Sequence, residues 1–251
     1  MKPIALQMYT LRDRAQKDFA AVLKTVADIG YVGVELAGLY GKSAKEVRKL
    51  LDDAGLVCCS AHVSIPNKDS LNQMVDEART LGYDSLIAGK WIDDFKTTDA
   101  IKRSAEEFQN ATALLKPHGL KMGYHNHWVE LDKTDGRYNL EILLELAPAI
   151  FSELDIYWAS NFGQVDVPAF IKKNRKRIEL LHVKNGTGVR QAPHVAVGEG
   201  KVDIPPCIQA ADEKLVRWHI VELDECATDM VEAVRKSYQY LTGKGLSKGK
   251  K

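Results

Sequence analysis

Glycine-rich phosphate loops are missing from this chain: neither GxGxxG nor GxxxxGK[ST] occurs in its 251 residues. That removes the usual signature of an open sheet built to hold a nucleotide. Cysteine is scarce. Cys58, Cys59, Cys207 and Cys226 match neither zinc-ligand spacing nor a disulfide framework, so reduced thiols in a cytoplasmic protein are expected. Neither sign of charge is in excess: 35 Lys and Arg face 34 Asp and Glu, a formal net charge of +1. Such balance offers no electrostatic grip on nucleic acid or an anionic membrane. No apolar run approaches a membrane span, and the opening MKPIALQMYTLRDR meets Arg12 and Asp13 too early for a signal peptide. The basic end, Lys244 to Lys251 (KGLSKGKK), is expected to be a frayed, flexible tail.

What is present is a soluble composition, 45% hydrophobic and 27% charged, with one recurring pattern. A helical stretch ends at glycine and a short apolar run follows: Gly30 before YVGVEL, Gly55 before LVCCSAHV, Gly82 before YDSLIAG, Gly119 before LKMGYHNH. Glycine just past a helix takes the left-handed conformation at little steric cost. Helix, glycine cap and buried strand, repeated, imply parallel strands joined by crossover helices. Strands are expected near 4–9, 32–36, 56–62, 84–88, 119–125, 151–155, 178–183 and 218–223. Helices are expected near 16–29, 43–54, 68–81, 98–116, 138–147, 167–175, 205–212 and 227–242. Eight βα units in this length fit one α/β domain over 1–251, a closed (β/α)₈ TIM barrel. A doubly wound open sheet is the alternative.

In a closed barrel the chemistry sits at the C-terminal ends of the strands. Those ends carry Gln7 and Tyr9, Glu35, His62, Lys90, His125 and His127, Glu153 and Asp155, His182 and Lys184, and Glu222 and Asp224. The opposite ends are apolar or glycine. Because side chains alternate, the members of each pair share a face, one pointing into the mouth and the other further out. Several carboxylates converging in a low-dielectric mouth repel one another and lose hydration, and a divalent cation resolves the conflict. Three carboxylates with one imidazole suit Mn²⁺ first, then Mg²⁺, Co²⁺ or Zn²⁺.

The segments QMYTLRD (7–13), GYHNHWVEL (123–131), ELDIYWAS (153–160), LLHVKNGTG (180–188), GEGKVD (198–203) and IVELDEC (220–226) resemble the sugar phosphate isomerase/epimerase group. That group belongs to the xylose isomerase-like TIM barrels, and the resemblance runs through nearly the whole chain in order. It implies a metal held by glutamate, aspartate, histidine and glutamate from successive later strands. Carried onto this sequence, Asp155, His182 and Glu222 match three of these. The slot of the first glutamate falls on His125. Glu130 is expected to fold back as that ligand, with His125 as the alternative.

The resemblance and the donor set imply enediolate chemistry on a ketose or keto-sugar, that is, isomerisation or epimerisation. His127 and His125 are base candidates because imidazole titrates near neutrality. Glu222 is a further base candidate, and Lys184 would stabilise oxyanion charge. Gln7, Glu35, His62 and Trp158 are expected to contact the sugar. The HNH of residues 125–127 departs from the simplest isomerase pattern and resembles barrels acting on inosose or 3-keto-glycosides. A lyase or dehydratase is therefore the alternative, and a non-catalytic sugar-binding barrel the second. The expected partner is a small sugar, with no nucleic acid or membrane; a homo-oligomer is compatible with this. His118, beside a helix end, and His219, of opposite parity to Glu222, are expected to be structural; His194 is open.

Overall fold

Runs rich in Val, Ile, Leu and Tyr pair most stably when both faces are buried, as in a parallel sheet wrapped by helices. The computed structural model describes residues 1–250. It shows β1 (Lys2–Gln7), α1 (Phe19–Ile29), β2 (Gly33–Leu36), α2 (Ala44–Ala54), β3 (Val57–His62), α3 (Leu71–Leu81), β4 (Ser85–Ala88) and α4 (Thr98–Leu115). There follow β5 (Lys121–His125), α5 (Asn139–Leu146), β6 (Phe151–Asp155), α6 (Val167–Asn174), β7 (Ile178–Val183), α7 (Ile204–Ala210), β8 (Trp218–Val221) and α8 (Met230–Gly243). Each strand lies parallel to the next, and β8 pairs with β1 through Ile4 and His219, so the sheet closes into a TIM barrel. No helix among the described residues is long and apolar enough to cross a membrane.

The helices are set by local chemistry. Ser43 and Glu46 form a reciprocal capping box at the start of α2, and Gly55 ends it with φ 61°. Val47 and Leu51 are the buried stripe between. Asp18 caps α1, accepting from Ala21 N at 3.0 Å, so this helix begins at Phe19 and not at 16. β1 ends at Gln7, short of Tyr9, because the Gln7 side chain accepts from Tyr9 N and turns the chain.

Alternation along the strands divides the barrel interior into layers. Ala5, Cys59, Ile87, Phe151, Leu180 and Ile220 form a buried apolar floor. Gly123 belongs here because a Cβ would stand 2.5 Å from Phe151 Cζ and 2.6 Å from Ile87 Cδ1. Two residues beyond the floor come Gln7, His125, Glu153, His182 and Glu222, all buried. Two further on come Asp155, Lys184 and Asp224. The mouth thus has a lower and an upper polar storey.

The segment expected to fray from about 244 is held at the lower rim. Ser247–Lys248 pairs in parallel with Lys2–Pro3, and Lys250 N donates to Gly30 O at 2.8 Å. On the outward face of β8, His219 Nδ1 lies 2.9 Å from the buried Ser247 Oγ. His219 therefore has the structural place that its parity suggested.

Candidate metal centre and active site

The lower storey is built around two carboxylates. Glu35 Oε1 receives Gln7 Nε2 at 2.7 Å and lies 2.7 Å from His182 Nε2 and 3.2 Å from His62 Nε2. Its other oxygen accepts from Ser60 Oγ at 2.6 Å. Glu153 Oε2 lies 2.7 Å from His62 Nε2, 3.1 Å from His125 Nδ1 and 3.2 Å from His182 Nε2. The His62 ring stacks on that of His182 at 5.4 Å and 12°, and His125 meets His182 edge-on at 4.6 Å. Only His62 in this group reaches solvent, with a side chain 25% exposed.

The upper storey is built around an ammonium. Lys184 is fully buried, with Nζ 2.8 Å from Glu222 Oε2, 3.3 Å from Asp155 Oδ2 and 3.1 Å from both Asp224 oxygens. The Trp158 ring lies 5.1 Å from that nitrogen. Asp155 Oδ1 caps the turn that follows β6 by accepting from Trp158 N at 2.8 Å. Asn126, between the two histidines of the HNH, accepts from Asp155 N at 3.0 Å and so ties β5 to β6. His182 Nδ1, 3.1 Å from Glu222 Oε2, joins the storeys.

Burial and charge set the protonation tendencies. Burial opposes the Glu35 charge, yet His62 and His182 hold its carboxyl well below the ordinary range. Burial and the Glu35 charge push Glu153 up to about 7. Burial also disfavours the His62 cation, but Glu35 and Glu153 overcome it and raise the imidazole to about 10. His125 is lowered by burial and by the neighbouring imidazoles. Burial works against the Lys184 charge, and the surrounding carboxylates, Asp155 first, more than restore it. Burial raises Asp155 to about 6 even beside Lys184.

Two groups of donors lie close enough to hold one ion, each with its ligand atoms within 4.8 Å of one another: His62, His125, Glu153 and His182; and His125, Asp155, His182 and Glu222. Glu153 Oε1 is buried with no hydrogen bond, and Asp155 Oδ2 is met only by the Lys184 ammonium at 3.3 Å. Unsatisfied buried carboxylate oxygens beside imidazoles fit a divalent cation.

The sequence-predicted residues therefore divide. Asp155, His182 and Glu222 come together with His125, the alternative strand-five ligand. Glu130 does not join them. A short turn, Val129–Leu131, folds it back, but its oxygens accept from Tyr124 Oη at 2.7 Å and His127 N at 3.0 Å, buried away from both groups. Glu35 and His62 are at the centre of the lower storey, and Gln7 positions Glu35. His127 stands higher, half-buried, its ring edge-on to Trp91 at 4.7 Å. Trp158 lines the wall with Trp128 and Phe162. His194 is a brace, accepting from Asp224 N at 3.0 Å. Glu153 was missed as a site residue. Its signal was its spacing, two residues after the floor residue Phe151.

A cavity of about 490 Å³ opens beside the mouth, between the segments around Phe162–Pro168 and Thr187–Cys207. None of the donors lines it, so the chemistry belongs to the storeys and not to this cavity.

Comparison with known proteins agrees with this architecture. The family described as xylose isomerase-like TIM barrel matches residues 23–242. A sugar phosphate isomerase/epimerase from Parabacteroides distasonis superposes with a TM-score of 0.80 at 25% identity, covering 98% of this chain and 96% of that one. An L-ribulose 3-epimerase superposes with a TM-score of 0.74 at 18% identity, covering 98% and 95%. The IolI protein with a bound zinc atom gives 0.71 at 15% identity, covering 97% and 99%. Among curated proteins, none matches in sequence.

Proposed function

Because the chain belongs to the xylose isomerase-like TIM-barrel family, we propose that it is a divalent-metal-dependent isomerase or epimerase of a ketose or keto-sugar. The observation that carries this is the convergence of His62, His125, Glu153, His182, Asp155 and Glu222 at one barrel mouth. A cation held there would supply Lewis acidity toward a substrate carbonyl and its neighbouring hydroxyl. His62, His125, Glu153, Asp155, His182 and Glu222 are the residues available to hold it.

The chain's own groups do the rest. His127 is the base. Burial, and then Lys184, lower it to about 4, so it is neutral at pH 7, though a weaker base than a free imidazole. Its Nδ1 has no partner in the protein. Removing a proton from the carbon beside the carbonyl leaves an enediolate, whose charge the Lys184 ammonium balances. Returning that proton to the adjacent carbon isomerises; returning it to the opposite face epimerises. Burial works against the Glu222 charge, but Lys184 and His182 keep it ionised, and it is the second base candidate.

A lyase reading is favoured by the breadth of the rim. Trp91, Trp128, Trp158 and Phe162 form a chain of rings with centroids 5.2 to 6.2 Å apart, enough wall for a sugar carrying a leaving group. Incubation with ketoses and 3-keto-glycosides in D₂O, followed by NMR, separates these outcomes. Isomerisation or epimerisation yields deuterated sugar, and elimination yields an absorbing enone. Failure of every keto-sugar to exchange would leave a barrel that only binds.

A further inference from the structure

Resting on the proposal that the mouth binds a divalent cation, we propose that the ion sits in the lower storey, held by His62, His125, Glu153 and His182. The set that resemblance suggested, centred on Asp155 and Glu222, is neutralised instead by the ammonium of Lys184.

Geometry separates the two sets. The Lys184 nitrogen touches Glu222 and Asp155, the two carboxylates that the upper set would offer. Lys184 is fully buried and backed by Trp158, so it has no open path out of the way. A cation placed between the same oxygens would meet a like charge at contact distance. None of His62, His125, Glu153 and His182 makes a hydrogen bond or ion pair with a lysine or arginine. Its imidazole nitrogens lie 2.7, 3.1 and 3.2 Å from Glu153 Oε2. Four donors about 2.1 Å from a tetrahedral ion stand roughly 3.4 Å apart, so small outward movements admit one.

Charge and satisfaction agree with the geometry. Glu35 and Glu153 carry two negative charges when the three imidazoles are neutral, matching one divalent ion. Glu153 Oε1 is buried without a hydrogen bond in the protein. Gln7 and Ser60 hold Glu35 from behind, and its Oε1 lies 2.7 Å from His182 Nε2, the nitrogen that also faces Glu153, while Glu222 orients the ring through Nδ1. His62 is the door, as the one partly exposed donor. The chemistry of the donors also changes the expected metal. Three imidazoles and one carboxylate favour Zn²⁺ or Co²⁺ over Mg²⁺.

The test is titration of the full chain with Co²⁺, read by its visible absorption, together with X-ray absorption of the loaded protein. The proposal expects one ion per chain with three imidazole ligands. It expects Glu153→Gln and His62→Asn each to weaken binding at least ~10²-fold, and Asp155→Asn to change it less than ~5-fold. Two imidazoles, with Asp155→Asn losing the ion and Glu153→Gln keeping it, would overturn the placement and leave the proposed reaction standing. Three imidazoles with no hydrogen exchange on any keto-sugar would keep the placement and remove the reaction. Absence of binding to the wild-type chain would overturn both. The absorption count is made on the wild-type chain and so does not depend on the variants folding.

Discussion

Two buried histidines on adjacent strands of the same barrel, one facing inward and one outward, live in contrasting surroundings. His219, on the outward face of its strand, has a single hydroxyl partner in Ser247, and burial lowers it to about 4. His182, above the floor, is equally buried but lies against Glu35, Glu153 and Glu222, which raise it well above the ordinary range. Burial alone makes a histidine neutral and structural, whereas converging carboxylates make it part of a charged site. The lower end is satisfied and stabilises the fold. The upper end concentrates like charges that cost stability until a cation or substrate arrives.

The sharpest test of this division is Phe151→Ala in the floor. It should lose about 3–5 kcal/mol of stability in urea unfolding, the usual effect of truncating a buried aromatic. Glu153→Gln, two residues away on the same strand, should leave the metal-free protein as stable or more so, because it removes a charge that burial disfavours. Equal destabilisation by both would erase the distinction between floor and mouth.

The pH dependence of His219 comes next. Its folded value is about 4, below the ordinary ~6.5, so the unfolded chain binds the proton more readily. Its contribution is therefore fully present above pH ~6.5 and is lost as pH falls through about 4, roughly 3 kcal/mol in all. The unfolding free energy of His219→Gln should fall less steeply over that window than that of wild type.

At the mouth, Glu222→Gln should lower turnover of a responsive keto-sugar at least ~10²-fold, with some loss of melting temperature, because Lys184 and His182 favour its ionised form in the folded chain. A lower melting temperature with turnover unchanged would place Glu222 with the structural residues. The smallest expected effect is Ser247→Ala, which removes the His219 partner and should cost about 1 kcal/mol in the same unfolding assay.

Most of the barrel was legible in the sequence because strand-length apolar runs recur eight times, four of them behind a glycine that ends the preceding helix. Strands six and seven fall at 151–155 and 178–183 as read. Parity put the ionisable residues of each strand end on one face, and the resemblance singled out Asp155, His182 and Glu222 among them. Depth was harder to see. Alternation says which way a side chain points, but not which storey it occupies, so Glu153 was overlooked beside Asp155. Glu130 looked like a ligand because a carboxylate just after a strand can fold back; the hydroxyl of Tyr124 and the amide of His127 satisfy it first. The tail looked like a solvated terminus by composition, since nothing local announces that Ser247–Lys248 pairs with residues near the opposite end of the chain.

The central claim is that a metal at this mouth drives proton transfer on a keto-sugar. Its most direct measurement is solvent deuterium uptake by a panel of ketoses and keto-glycosides, before and after chelation and again after Zn²⁺, Co²⁺ or Mn²⁺ is returned. The account predicts uptake that disappears on chelation and returns with metal. Uptake that is indifferent to chelation, or absent with every metal, would contradict it.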